Sequence, residues 1–214
     1  MPAPNSKLKS EVATLLHMVK PLGDRLVYTA ASELELENFE RNFEIKLPIE
    51  VREWLKFCNG VDVNPGGVIG LSKIGKHFEW SPSWQKNAWI PLASDGCGDY
   101  YVLAASEMIS TSRTHPVFFI DQCDYERPAY IVASGLWKFF RFLFEDEIIT
   151  QESPPNLDVE NEGWYERFLE RLNDPNDKHY WPFKKEQVLQ KDRFLNDYEG
   201  NTPFPWDVDE EQGI

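Results

Sequence analysis

The hydrophobic period of this chain changes at Asn59-Gly60 and changes back at Ser134, and few folds accommodate that order. Before Asn59 the apolar residues recur at helical spacing: Leu36, Phe39 and Phe43 follow the capping-box pattern Ser32-Glu33-Leu34-Glu35. Val51, Trp54, Leu55 and Cys58 then fall at i, i+3, i+4 and i+7 after Leu47-Pro48. These patterns predict one helix over about 33–43. They predict a second that starts at Pro48, where a missing N–H is no loss, and stops at Asn59-Gly60, where glycine supplies a left-handed cap. Between Gly60 and Ser134 the chain reads instead as short apolar runs broken by turn residues: VNPGGVIGL, HFEWSPSW, NAWIPLAS, DYYVLAAS, HPVFFID and PAYIVAS. Such runs predict a sheet of about five or six strands. The stretch SGLWKFFRFLFEDE restores the helical period, with Ser134 as its cap, Trp137, Phe140 and Phe144 along one face, and Phe139 and Leu143 widening it.

No helix is expected between successive strands, which excludes a doubly wound parallel sheet. The order predicts an α+β fold with a central, largely antiparallel or mixed sheet and helices packed mainly on one face. At Gln151 the chain turns polar, and Ser153-Pro154-Pro155 marks a break. We therefore expect an α+β domain over 1–150 and an acidic helical extension and arm over 151–214, docked on the core. Trp164, Phe168, Leu169 and Leu172 suggest one helix there, and a shorter one follows Pro182 through Leu195. Phe204 and Trp206 lie in the final arm.

Charge narrows the partners. Of the 214 residues 36 are acidic and 22 basic, for a net −14, and residues 150–214 hold 16 of the acids against 7 bases. A surface so acidic repels phosphate backbones and anionic lipid and steers basic partners inward. Neither nucleic acid nor a membrane is expected as a partner. The three cysteines, Cys58, Cys97 and Cys123, lack the paired spacing of a zinc or redox motif and read as free thiols of a cytoplasmic protein. No apolar run approaches the roughly 18 residues of a membrane span.

The stretch IPLASDGCGDYYVL sets Asp95 and Asp99 around two glycines and raises the question of chemistry. As a calcium loop starting at Asp95 it fails, because Cys97 stands at position 3, Tyr100 at the obligatory glycine and Ser106 at the bidentate glutamate. Cys97 has no histidine placed beside it by any family signature, and His17, His77, His115 and His179 show no i, i+4 metal spacing. Pro65-Gly66-Gly67-Val68-Ile69-Gly70 lacks the lysine of a phosphate loop and a helical pattern after it. The residues therefore predict no catalytic set, metal, cofactor or small-molecule substrate. What remains is aromatic material in expected loops, Trp80, Trp84, Trp89, Tyr100, Tyr101, Trp181 and Trp206, near acidic residues. Tryptophan and tyrosine beside charge make anchors for a protein partner.

Taken together, FERNFEIKLPIEVREWLKFCNG, WIPLASDGCGDYYVL, PVFFID and YIVASGLWKFFRFLF resemble the SUKH superfamily, in particular its Smi/Knr group of cell-wall-regulator-like and immunity proteins. The resemblance covers about residues 30–148. It implies an α+β fold without enzymatic activity and, in bacteria, an immunity role: binding and neutralising a polymorphic toxin, often a nuclease. Eukaryotic relatives imply the alternative, a scaffold that regulates cell-wall synthesis or signalling. Nuclease toxins tend to be basic, which suits the acidic balance of this chain. Only the turn Asp95, Gly96, Gly98 and Asp99 carries over as a family feature. The expected contact residues for a basic toxin domain are Asp95, Asp99, Trp84, Tyr100 and Trp80.

Overall fold

A computed structural model describes residues 4–18, 28–63, 66–105, 115–121, 123, 129–152, 185–193 and 195. Helix α1 spans Pro4–Met18, α2 Glu33–Asn42 and α3 Ile49–Phe57. Ser32 starts α2 as its sequence predicts: its hydroxyl accepts from the Glu35 N–H, and the Glu35 carboxylate accepts from the Ser32 N–H at 2.7 Å. Pro48 immediately precedes α3, whose Val51, Trp54 and Leu55 are buried.

The run HFEWSPSW is not a strand. It belongs to α4, Leu71–Trp80, and α5, Pro82–Lys86. Leu71, Ile74 and Phe78 share the buried face of α4 at spacings of three and four, and that apolar stripe overrides the strand-like look of its aromatic end. Gly75 lets α4 approach α2, since a Cβ there would meet the Phe43 ring at 3.0 Å.

The sheet is antiparallel, in the order β1-β2-β3-β4, with β1 Trp89–Ser94, β2 Tyr100–Ala104, β3 Val117–Ile120 and β4 Tyr130–Ala133. Among the described residues it has four strands, fewer than the expected five or six. The segment VNPGGVIGL contributes only single bridges, Val61 to Val68 and Val68 to Ala93. Those bridges cover part of the outer edge of β1, which carries Pro91 and a register shift where a ladder donor is missing.

Helix α6, Leu136–Glu152, packs on one face of the sheet through Phe139, whose ring lies 5.2 Å from that of Tyr101. Beyond it Trp54 of α3 meets Phe140 at 4.1 Å, and α1 lies along α6 with Lys9 5.7 Å from the Trp137 ring. The other face is covered where Tyr100, pointing opposite to Tyr101, meets α4 and α5. The α+β class read from the sequence is the one observed, and its core is built from large side chains including Trp54, Trp84, Phe78, Phe139, Phe140, Phe142 and Phe144.

Two elements went unread or differ in detail. Helix α1 is not among the elements expected from the sequence. Ser134, expected to cap α6, instead donates its hydroxyl to Asp192 Oδ1 at 2.8 Å and its N–H to Asp192 Oδ2 at 2.9 Å. Asp192 follows α7, Lys185–Lys191, and is fully buried. Lys191 adds an ion pair to Glu145 at 2.7 Å. The expected helix near Trp164–Leu172 and the arm with Phe204 and Trp206 lie outside the described residues, as does Trp181.

Candidate functional surface

The turn between β1 and β2 is locked by its own first residue. Asp95 Oδ1 accepts from the N–H of Cys97 at 2.8 Å and from that of Asp99 at 3.0 Å, while the Asp95 N–H donates to the Asp99 carbonyl at 3.2 Å. Gly96 and Gly98 have φ of 83° and 111°, which a side-chain-bearing residue adopts only with strain. One carboxylate oxygen is thus committed to the fold, which explains the Asp-Gly-x-Gly-Asp pattern without catalysis.

Topology brings a third carboxylate to the same end of the sheet. β2 and β3 pair with Tyr100 opposite Ile120, so Asp121 emerges beside Asp99. Burial pushes the Tyr130 hydroxyl well above the ordinary phenol range, and the charges of Asp99, Asp95 and Asp121 push it the same way. Tyr101 is raised likewise, by burial first and then by Tyr130, Asp95, Asp146 and Asp99. Both phenols stay neutral hydroxyls beneath an anionic rim.

On the opposite face Tyr100 joins an aromatic group. His77 stacks on Trp84 at 5.9 Å and meets Tyr100 at 4.7 Å and Trp80 at 5.6 Å, and Trp84 meets Tyr100 at 5.5 Å. Burial, with the nearby Lys73 charge, lowers the His77 pKa to about 4, so the ring is neutral at physiological pH. Three of the expected contact residues, Trp80, Trp84 and Tyr100, are therefore brought together. They differ in reach: Trp80 is 71% exposed, Tyr100 is half-buried, and Trp84 is 1% exposed. Trp84 cannot touch a partner in this conformation and instead supports Tyr100 from below. Trp89 and Tyr101, also weighed as anchors, are core residues. His77, the hub of the group, was not singled out, because its value comes from neighbours that the strand reading of α4 separated.

The same misreading hid an open groove of about 720 Å³ between α2 and α4, floored by Phe39, Phe43, Leu71 and Gly75. Its end at Leu71 is fixed by the Asn59 side chain, which accepts from the Leu71 N–H at 2.7 Å. Among the described residues no group of three or more His, Cys, Asp or Glu side chains could hold a metal ion. Among them too, no helix is long and apolar enough to cross a membrane.

A four-stranded antiparallel sheet wrapped by helices defines a small α+β protein. The pattern of the SMI1 / KNR4 family (SUKH-1) matches residues 30–141, and the chain belongs to that family. The matched stretch runs from just before α2 into α6, so α1 and α7 lie outside it. No curated protein matches the chain. The family is consistent with an immunity-protein-like module and implies a protein partner.

Proposed function

We propose that the chain is a non-enzymatic, cytoplasmic immunity-type protein that binds and neutralises a basic toxin domain through the acidic end of its sheet. What supports this reading is the gathering of Asp95, Asp99 and Asp121 at one sheet end. Beside them, Tyr100 opens onto the ring group that ends in exposed Trp80. The charges speed encounter with a cationic surface, and the rings supply area at low entropic cost. Trp84 acts beneath the contact by holding Tyr100.

The test mixes the full-length protein with the basic toxin domain encoded beside its gene. A stoichiometric complex and loss of toxin activity are expected; a toxin left unbound and active overturns the reading. Asp99→Lys, which spares Asp95 and Asp121, the two carboxylates that accept from turn N–H groups, should slow association about threefold or more at low salt and flatten its salt dependence. Capture from native lysate of cell-wall or signalling enzymes, in place of one basic protein, would move the function to a scaffold.

A further inference from the structure

Several lysines of this acidic chain are held by neighbouring carboxylates: Lys9 pairs with Glu53 at 3.0 Å, Lys56 with Glu33 at 2.8 Å and Lys191 with Glu145 at 2.7 Å. Lys73 and Lys76 of α4 and Lys86 of α5 are exposed and have no ion-pair partner among the described residues, and the only acid on these two helices is Glu79. On α4 the lysines form a stripe. At 3.6 residues per turn Lys76, Trp80 and Lys73 fall within about 60° of arc, away from the buried Leu71, Ile74 and Phe78. Trp80 is the most exposed large apolar side chain among the described residues. The groove between α2 and α4 opens along one side of this stripe, because Lys76 lines it too, and its floor of Phe39, Phe43 and Leu71 is apolar. An exposed tryptophan among unpaired cations, beside an apolar groove, fits an occupant that is both anionic and aromatic.

The sequence after Leu195 has that chemistry. Residues 196–214, which lie outside the described residues, contain the acids Asp197, Glu199, Asp207, Asp209, Glu210 and Glu211 and no lysine or arginine, and Phe204 and Trp206 stand just before the last four acids. The length of this segment permits the contact. Trp89 of β1 is opposite Ala104, Leu103 opposite Val117 and Val117 opposite Ala133, so the start of β1 and the end of β4 lie at one end of the sheet. Asp192 is fixed at that end by Ser134, and the Leu195 N–H donates to the Asp192 carbonyl at 3.1 Å. Helices α4 and α5 lead into β1 at the same end. Strand spacing puts β4 about 14 Å from β1, and crossing from the layer of α6 to that of α4 adds roughly 20 Å, a diagonal of about 25 Å. An extended chain from Leu195 reaches about 30 Å at Phe204 and about 40 Å at Asp207.

We propose that the acidic segment Phe204 to Glu211 docks on α4 of its own chain, with Phe204 and Trp206 against Trp80 and the adjoining groove and the carboxylates of Asp207, Asp209, Glu210 and Glu211 facing Lys73 and Lys76. Charge selects this seat: the end of the sheet that gathers Asp95, Asp99 and Asp121 repels the segment, and the unpaired lysines attract it. Contact with the two rings removes Trp80 from water. Because seat and segment belong to one chain, the contact forms at high effective concentration and needs little intrinsic affinity. Its ion pairs are exposed, so the docking loosens as salt rises. A segment seated there competes with any partner for Trp80.

The experiment treats the full-length protein at low salt with a carbodiimide, which joins a lysine amine to a touching carboxylate with loss of water, and maps the linked peptides by mass spectrometry. Mixing isotopically labelled with unlabelled protein separates links within a molecule from links between molecules. Expected are links within one molecule from Lys73 or Lys76 to the acids between Asp207 and Glu211. Trp80→Ser, at an exposed position and with both lysines kept, should lower their yield. Chymotrypsin cleavage after Trp206 provides a second readout: Lys73→Glu combined with Lys76→Glu should speed it about fivefold at an unchanged denaturation midpoint. Links from these acids only to other lysines, links only between two molecules, or a cleavage rate indifferent to the lysine substitutions would overturn the proposal. Neither readout bears on toxin binding, because both are taken on the protein alone.

Discussion

Trp84 shows how one residue changes meaning between sequence and structure. It was expected at a contact and lies in the core, stacked on His77 and against Tyr100. Trp84→Ala should destabilise the fold by about 3–5 kcal/mol, measured by chemical denaturation, and loosen Tyr100 with it. His77 offers a sharper test. Its folded pKa of about 4 lies below the usual 6.5, so the unfolded chain binds the proton more readily. The stability it supports is present above about pH 6.5 and drains as pH falls toward about 4. His77→Phe should flatten the fall in denaturation midpoint across that window; an unchanged slope would show that His77 does not titrate there. Asp95 and Asp99 were legible as a turn because their glycines advertise positive φ. Asp121 was not, because only the pairing of β2 with β3 brings it alongside.

Helices α2, α3 and α6 were readable because each carries its apolar period, and α2 also its cap, within a few residues. Helix α4 was not, and its cap explains why: the Asn59 side chain reaches the Leu71 N–H from twelve residues away, so no local stop-and-start signal precedes the helix. Asn59→Ala should cost about 1 kcal/mol by chemical denaturation and fray the start of α4 in amide exchange. The strands β1 to β4 lie at nearly their expected positions because each is a short, largely apolar run between turn residues. The α6 start repeats the α4 lesson. Removing the Asp192 carboxylate by Asp192→Ala leaves the partly buried Ser134 N–H without its acceptor, and a loss of about 1–3 kcal/mol by chemical denaturation is expected.

Across the whole molecule acid both guides and limits the protein. The net −14 is not all free charge: Glu40 is buried, accepts from the Leu47 N–H at 3.0 Å and pairs with Arg52 at 2.8 Å. Burial raises its pKa, but these contacts together bring it below the ordinary 4.5. Glu50 is lowered in the same way: burial raises its pKa, but the hydrogen bond with His115, its own backbone N–H and the His115 charge together bring it down. A carboxyl lowered in the folded state contributes stability above its unfolded pKa and loses it as pH falls through the folded value. Stability should therefore decline below about pH 4.5, and Glu40→Gln should reduce the steepness of that decline.

The contact between Asp192 and Ser134 also orders events in time. The two residues are 58 apart in sequence, and a chain synthesised at about 5–20 residues per second needs roughly 3–12 s to add that length. Helices and hairpins form within microseconds, so β4 and the start of α6 are made long before their acceptor exists. A nascent chain therefore passes through a state in which the start of α6 still lacks the Asp192 carboxylate.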